Sequence, residues 1–350
     1  MKVAILAPLP PPAGGIGAWM KRMLNAKLKN GWEIVHVDES LIGKRTIFGN
    51  SKRRFSEEFK RNIKIWSSLR RALKDPEVKV VHSCIPSATF GMMREYICAL
   101  ITKMHRRKFI IHYRCTTTNM TKGKLGYFMF KKLTDISDFA MVLNDESKMM
   151  VEKYSQTKVR IIPNFVESDS VIEKGTKEFS DIVKTVLYVG GVIERKGCFH
   201  ILDVAKHFPD IEFRLAGSVG ALFDEIPENF KLLGEKSKQE VAQEMKDADV
   251  FIFPTYFPGE GFSNALAEAM AKGLPCITTK WAANYDMIED KGGITAPVKD
   301  SQALIEALEK IKDDKSLRQA MSDFNIDKVN TYYTDKAVLE QYVDVYESLL

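Results

Sequence analysis

Glu260-Gly261-Phe262-Ser263-Asn264-Ala265-Leu266-Ala267-Glu268-Ala269-Met270-Ala271-Lys272-Gly273-Leu274-Pro275 sets two glutamates with seven residues between them. Ser263 and Asn264 suit a helix N-cap, because their side-chain oxygens accept from the free N–H groups of a first turn. Residues 265–272 are mostly strong helix formers. Gly273 accepts the left-handed backbone that ends a helix, and Pro275 blocks continuation. The apolar run at 250–253 reads as a buried strand, and 275–279 as the next one. The order is strand, loop, helix, strand. Glu260 stands at the mouth of a helix N-terminus whose N–H groups can hold an anion. Glu268 sits among Ala265, Leu266, Ala267, Ala269 and Met270, a poor setting for a purely exposed acid. A buried acid needs a partner, and ribose hydroxyls would serve.

The same alternation runs outward. Residues 185–189 form a strand closing on Gly190-Gly191, then Glu194-Arg195-Lys196-Gly197 lead into a helix over 198–207. Cations at a helix N-terminus after a strand suit a diphosphate leaving group, although a surface Arg-Lys pair is common. A strand at 212–215 ends on Ala216-Gly217, 238–246 is helical, and so is 302–322. In the first half, strands at 3–7, 32–37, 78–82, 108–112, 140–143 and 159–162 alternate with helices such as 18–30. This predicts parallel sheets covered by helices. The expected fold class is α/β, with two doubly wound Rossmann-like domains facing across a cleft and ligands at the carboxyl ends of the strands. The expected divisions are 1–165, 166–334 and a terminal amphipathic helix over 335–350, with the linker in 165–178.

A chain of 350 residues suits two domains. No stretch of about 18 apolar residues occurs, so no spanning helix is expected. The N-terminal apolar run is too short for a signal peptide and reads as a first strand. Five scattered cysteines without C-x-x-C argue against disulfides and zinc and favour a cytoplasmic setting. Residues 1–165 hold 31 Lys and Arg against 13 Asp and Glu, whereas 166–350 hold 21 against 33. The basic half should attract an anionic surface, phospholipid or nucleic acid. Within 51–74, Phe55, Phe59, Ile63, Trp66, Leu69 and Leu73 recur at steps of three and four, with cations from Lys52 to Lys74 on other faces. Such a helix is either interfacial on a membrane or packed on the sheet. Its cations, with Arg106-Arg107-Lys108 and Lys131-Lys132, could attract an anionic leaflet.

Three further features bear on function. The loop Pro10-Pro11-Pro12-Ala13-Gly14-Gly15-Ile16-Gly17 follows the first strand, and its glycines let backbone approach phosphate. It is not a clean G-x-G-x-x-G, since Met20 stands where the last glycine belongs, so a nicotinamide cofactor is poorly supported. His112 ends the strand Phe109-Ile110-Ile111; a single histidine is more often structural than catalytic. Asp247-Ala248-Asp249 looks like a D-x-D metal motif but lies at a helix end before a buried strand. No other acidic or histidine cluster has metal spacing, and no metal or cofactor is expected.

Together these motifs resemble the family-four retaining glycosyltransferases of the GT-B fold. The resemblance covers nearly the whole chain and is most specific in the second half. It implies that Glu260 contacts the donor sugar and Glu268 the ribose. The N–H groups of Phe262, Ser263 and Asn264, with Gly261 and Gly217 nearby, would hold phosphate or sugar hydroxyls. Lys196 matches the lysine that binds the donor phosphates. The family's usual arginine falls at Gly191, and Arg195 is the candidate to replace it. Gly14 and Gly15 would face the donor phosphates, and His112 would lie beside the reacting sugar. The implied activity is retaining, metal-independent transfer from a nucleotide-diphosphate sugar, UDP favoured, to a glycan or lipid-linked acceptor in cell-surface polysaccharide or glycolipid synthesis. The acidic half would bind the donor and the basic half the acceptor, peripherally on the inner face of the membrane. Glu260, His112 and Lys196 are the expected catalytic group. A nucleotide-sugar epimerase on the same fold is the alternative. A non-catalytic membrane or nucleic-acid binding protein is a more distant one; the basic half lacks the aromatic interleaving of single-strand binders, so no nucleic acid is expected.

Overall fold

The computed structural model describes residues 1–10, 14–41 and 55–350. Residues 11–13 of the glycine loop, and residues 51–54 at the start of the expected basic helix, lie outside the described residues. The chain divides into two compact units, Met1–Asn164 with Val338–Leu350, and Phe165–Ala337.

The first unit runs β1 (Lys2–Ala7), α1 (Gly15–Asn25), β2 (Glu33–Asp38), α2 (Phe55–Ala72), β3 (Val78–Ile85), α3 (Thr89–Met104), β4 (Lys108–Tyr113), α4 (Thr117–Met120), α5 (Gly123–Ile136), β5 (Phe139–Val142), α6 (Asp145–Tyr154) and β6 (Val159–Ile161). Its strands form one parallel sheet in the order β2-β1-β3-β4-β5-β6. The reversal of direction from β1 is the doubly wound topology expected from the sequence. The central strands are buried along nearly their whole length because helices cover both faces. Ile65 and Leu69 of α2, Cys98 of α3 and Phe130 of α5 bury against Val81 and Ile111 in one core. The basic helix α2 is therefore packed on the sheet through one face.

The second unit contains β7 (Thr185–Val189), α7 (Cys198–His207), β8 (Glu212–Ala216), β9 (Phe230–Gly234), α8 (Lys238–Asp247), β10 (Val250–Phe253), α9 (Asn264–Ala271), β11 (Cys276–Thr279), α10 (Asn284–Ile288), β12 (Gly293–Ala296), α11 (Ser301–Lys312) and α12 (Lys315–Tyr332). The parallel sheet order is β12-β11-β10-β7-β8-β9. The helix expected over 302–322 is two helices. Asp314 caps the second by accepting from the Leu317 N–H at 2.8 Å, which breaks the run. The segment read as a linker is anchored at its start: Phe165 and Val166 are buried, and Val166 bridges Thr334.

The last helix, α13 (Asp335–Glu347), returns to the first unit from Val338 onward. Tyr342 and Tyr346 are fully buried there, beside His82. All five cysteines are buried and unpaired. Among the described residues no helix is long and apolar enough to cross a membrane.

Candidate active site

The second unit gathers its functional side chains at the carboxyl ends of β7, β8 and β10. Gly217, after β8, has φ +151°, and a Cβ there would meet the Gly190 carbonyl oxygen at 1.9 Å. Gly190, after β7, has φ +150°. Two backbones touch at this point, and only glycines permit it. After this crossing a single helical turn, Glu194–Lys196, delivers Lys196, and Gly197 in the left-handed conformation starts α7. A Cβ at Gly197 would strike the Pro254 carbonyl oxygen at 2.3 Å, so this turn lies against the loop after β10.

That loop carries Glu260. Glu260 is 9% exposed, and its carboxylate pairs with the Lys196 ammonium. The ammonium also lies 5.2 Å from the ring centres of both Phe253 and Phe257. Burial pulls the Lys196 amine down to about 8. The Glu260 carboxylate favours the charged form and holds it as the ammonium at neutral pH. Phe257 in turn accepts on its carbonyl from Trp281 Nε1 at 2.8 Å, which fixes the loop.

Ser263 caps α9, its hydroxyl accepting from the Leu266 N–H at 3.3 Å. Asn264 is the first helical residue and Gly261 and Phe262 precede the cap, so three expected anion-holding amides cluster at this helix start. Phe262 packs edge-on to Tyr333 at 5.1 Å. Glu268 is half-buried one turn into α9. Arg195 is exposed, and its carbonyl accepts from the Tyr256 N–H at 2.9 Å, so its backbone is structural and its side chain is at the surface. The D-x-D stretch is structural, because Asp249 accepts from the Lys184 and Thr185 N–H groups at 2.8 and 3.0 Å and closes the start of β7.

The remaining expected residues lie in the first unit. Gly14 and Gly15 are exposed at the start of α1, Gly14 as its N-cap. His112, at the end of β4, is fully buried. It stacks on His82 at 5.2 Å and meets Trp19 of α1 edge-on at 6.0 Å. Arg114 Nη1 donates to His112 Nε2 at 3.3 Å, and an arginine can only donate. The proton of His112 is therefore on Nδ1, donating to His82 Nε2 at 3.1 Å. His82 Nδ1 then donates to the Tyr346 hydroxyl oxygen at 2.7 Å. Burial holds both imidazoles neutral, His82 pulled down to about 3 and His112 well below its usual value. Sequence reasoning missed Arg114, which stacks 4.2 Å above Trp19 and donates to Asn164. Its one available signal was its place just past the end of β4. His82, Cys84 and His112 bring three ligand-type atoms within 4.8 Å of one another. Their nitrogens are engaged in this chain, and the adjacent guanidinium opposes a bound cation.

Two parallel doubly wound units, with a lysine–glutamate pair and a capped helix start at the strand ends of the second, are the GT-B fold. Residues 173–327 match the family described as Glycosyl transferases group 1. The phosphatidyl-myo-inositol mannosyltransferase of Mycobacterium leprae is 30% identical over 54% of this chain and 53% of its own. The UDP-Gal:alpha-D-GlcNAc-diphosphoundecaprenol alpha-1,3-galactosyltransferase of Escherichia coli is 26% identical over 52% of this chain and 55% of its own. The matches span about half to three-fifths of the length of these curated relatives. Sucrose-phosphate synthase of Thermosynechococcus elongatus shares the fold, with a TM-score of 0.77 at 16% identity over 99% of this chain and 98% of its own.

Proposed function

We propose that the protein is a retaining, metal-independent glycosyltransferase that moves a sugar from a nucleotide-diphosphate donor, UDP favoured, to a hydroxyl of a glycan or lipid-linked acceptor. The carrying observation is Lys196, a half-buried cation held by Glu260 beside the N-terminus of α9. A diphosphate leaving group gains charge as the glycosidic bond breaks, and a preorganised ammonium with helix amides stabilises that charge without a metal. Glu260 already touches Lys196, so donor binding exchanges one anionic partner of the lysine for another and leaves the carboxylate to orient the sugar. Glu268 takes the ribose hydroxyls. With retention, the departing phosphate oxygen accepts the acceptor's proton, so no protein nucleophile is needed. His112, buried and neutral, acts as a positioning residue that orients Arg114. The UDP preference and the lipid-linked acceptor are supported by the names of the E. coli and mycobacterial relatives.

Thermal unfolding against UDP, GDP and their sugars, with and without EDTA, tests this reading. Ligand at about 100 times its dissociation constant stabilises the fold by about 2.7 kcal/mol. A shift with a nucleotide or nucleotide sugar that survives EDTA is expected. No shift with any of them, or turnover within about tenfold of wild type in both Glu260→Ala and Lys196→Ala, overturns it; the expected loss is about 10²-fold or more.

A further inference from the structure

Helix α3 is unlike the other surface helices: every one of its exposed residues is apolar. Phe90, Met93, Ile97, Leu100 and Met104 recur at alternating steps of three and four, so they form one straight ridge. Phe90 and Met104 are 74% and 79% exposed. Its residues Arg94 and Glu95 turn inward, where Glu95 is fully buried and accepts from Arg94 and the Ser83 hydroxyl. The ridge does not end at the helix. Thr89 lies against Gly126 of α5, whose Leu125 and Phe128 are exposed, and α2 on the other flank exposes Phe59 and Ile63. This apolar strip, drawn from three neighbouring helices, exceeds the scattered apolar residues of an ordinary surface.

Cations line the strip on both sides. Helix α2 exposes Lys60, Lys64, Arg70 and Arg71 and no acid. Helix α5 exposes Lys124, Lys131 and Lys132, with one acid, Asp135, paired to Lys131. The Lys132 ammonium lies over the Phe128 ring at 5.7 Å, an aromatic–cation pair suited to the boundary between headgroups and acyl chains. A second copy of the chain is a poor occupant, because a two-fold contact would set this basic rim against itself.

We infer that the face built by α2, α3 and α5 docks on an anionic lipid bilayer, with the α3 ridge entering the interface and the flanking lysines and arginines on the headgroups. The ridge on α3, rather than the basic helix α2, is the membrane-entering element. This deepens the proposed use of a lipid-linked acceptor and rests on that reading only for its purpose.

Co-sedimentation of the full chain with phosphatidylcholine vesicles, with and without about 30% phosphatidylglycerol, tests the inference. Binding is expected only to the anionic vesicles, and weakening is expected between about 50 mM and 500 mM salt. The double variant Ile97→Ser/Leu100→Ser should lose at least about tenfold in partitioning. The variant Lys124→Gln/Lys132→Gln should also bind less and show a shallower salt dependence. All four positions are exposed, so both variants should keep the wild-type unfolding temperature and its shift with UDP. Absence of wild-type binding at low salt, full binding by the serine variant, or a wild-type dimer that the serine variant dissolves overturns the inference. If vesicle binding behaves as expected while UDP gives no shift, the docking face stands and the transferase reading fails.

Discussion

Replacing Glu260 by glutamine should move the titration of Lys196 from about pH 8 to lower pH. Lys196 is held between two forces: burial, which pulls its amine down to about 8, and the Glu260 carboxylate, which favours the ammonium. Glutamine keeps the shape and removes the charge, so burial alone then sets the amine. The ammonium binds a phosphate and the neutral amine does not, so in the wild type the contact is present below about pH 8 and lost above it, and in the variant it is lost at lower pH. One charge-assisted hydrogen bond contributes about 1.5–3 kcal/mol, or about tenfold to a hundredfold in affinity. Calorimetric titration with UDP across about pH 6 to 9.5 should show binding weaken by that factor in both proteins, at lower pH in the variant. The carbon-13 shift of the Lys196 side chain supplies a check that needs no ligand: it should move near pH 8 in the wild type and at lower pH in the variant. Identical pH profiles in the two proteins would refute the argument that the pair holds the lysine charged.

Three other outcomes follow from buried groups. His82 is kept neutral down to about pH 3, whereas the unfolded chain takes up its proton near 6.5. Its contribution to stability is therefore present above pH 6.5 and lost as pH falls, about 2 kcal/mol by pH 5, and urea unfolding of His82→Gln should show a shallower acid slope. In the cluster where Arg94 meets Glu39 at 3.1 Å and also Glu95, burial raises the Glu39 carboxyl well above its usual value and Arg94 keeps Glu95 low. Glu39→Gln should change stability by less than about 1 kcal/mol, whereas Arg94→Met strands the Glu95 charge and should cost about 3–5 kcal/mol by urea titration. Gly217→Ala forces a methyl against the Gly190 carbonyl at a positive φ; a loss of at least about 2 kcal/mol in unfolding free energy is expected, and an unchanged melting temperature would contradict the close approach.

Much of the second unit is legible in the sequence because its signals are local. The strands at 185–189 and 250–253 are apolar runs bounded by turns, and their observed limits are the expected ones. The cap at Ser263 follows from chemistry within three residues. Helix α3 escaped because its apolar residues lie on all sides, buried at Met92, Cys98 and Ile101 and exposed at Phe90 and Ile97, which leaves no single-faced periodicity to read. Strand β9 escaped because it is a short edge strand with only Phe230 buried.

By itself, the sequence determined the βα alternation, the glycines that permit close backbone approach, the acidic and basic halves, and the presence of Lys196, Glu260 and Glu268 at strand and helix ends. These are properties of residues a few positions apart. Pairings between distant residues needed the tertiary structure: Lys196 with Glu260, His112 sealed behind Arg114 and Trp19, and Tyr346 brought back beside His82. Their partners lie 64, 2 and 264 positions apart. Even the close pair, His112 and Arg114, depends on burial by other elements for its protonation state. A side chain's charge and reach depend on the dielectric and the neighbours around it, and those come from packing between elements.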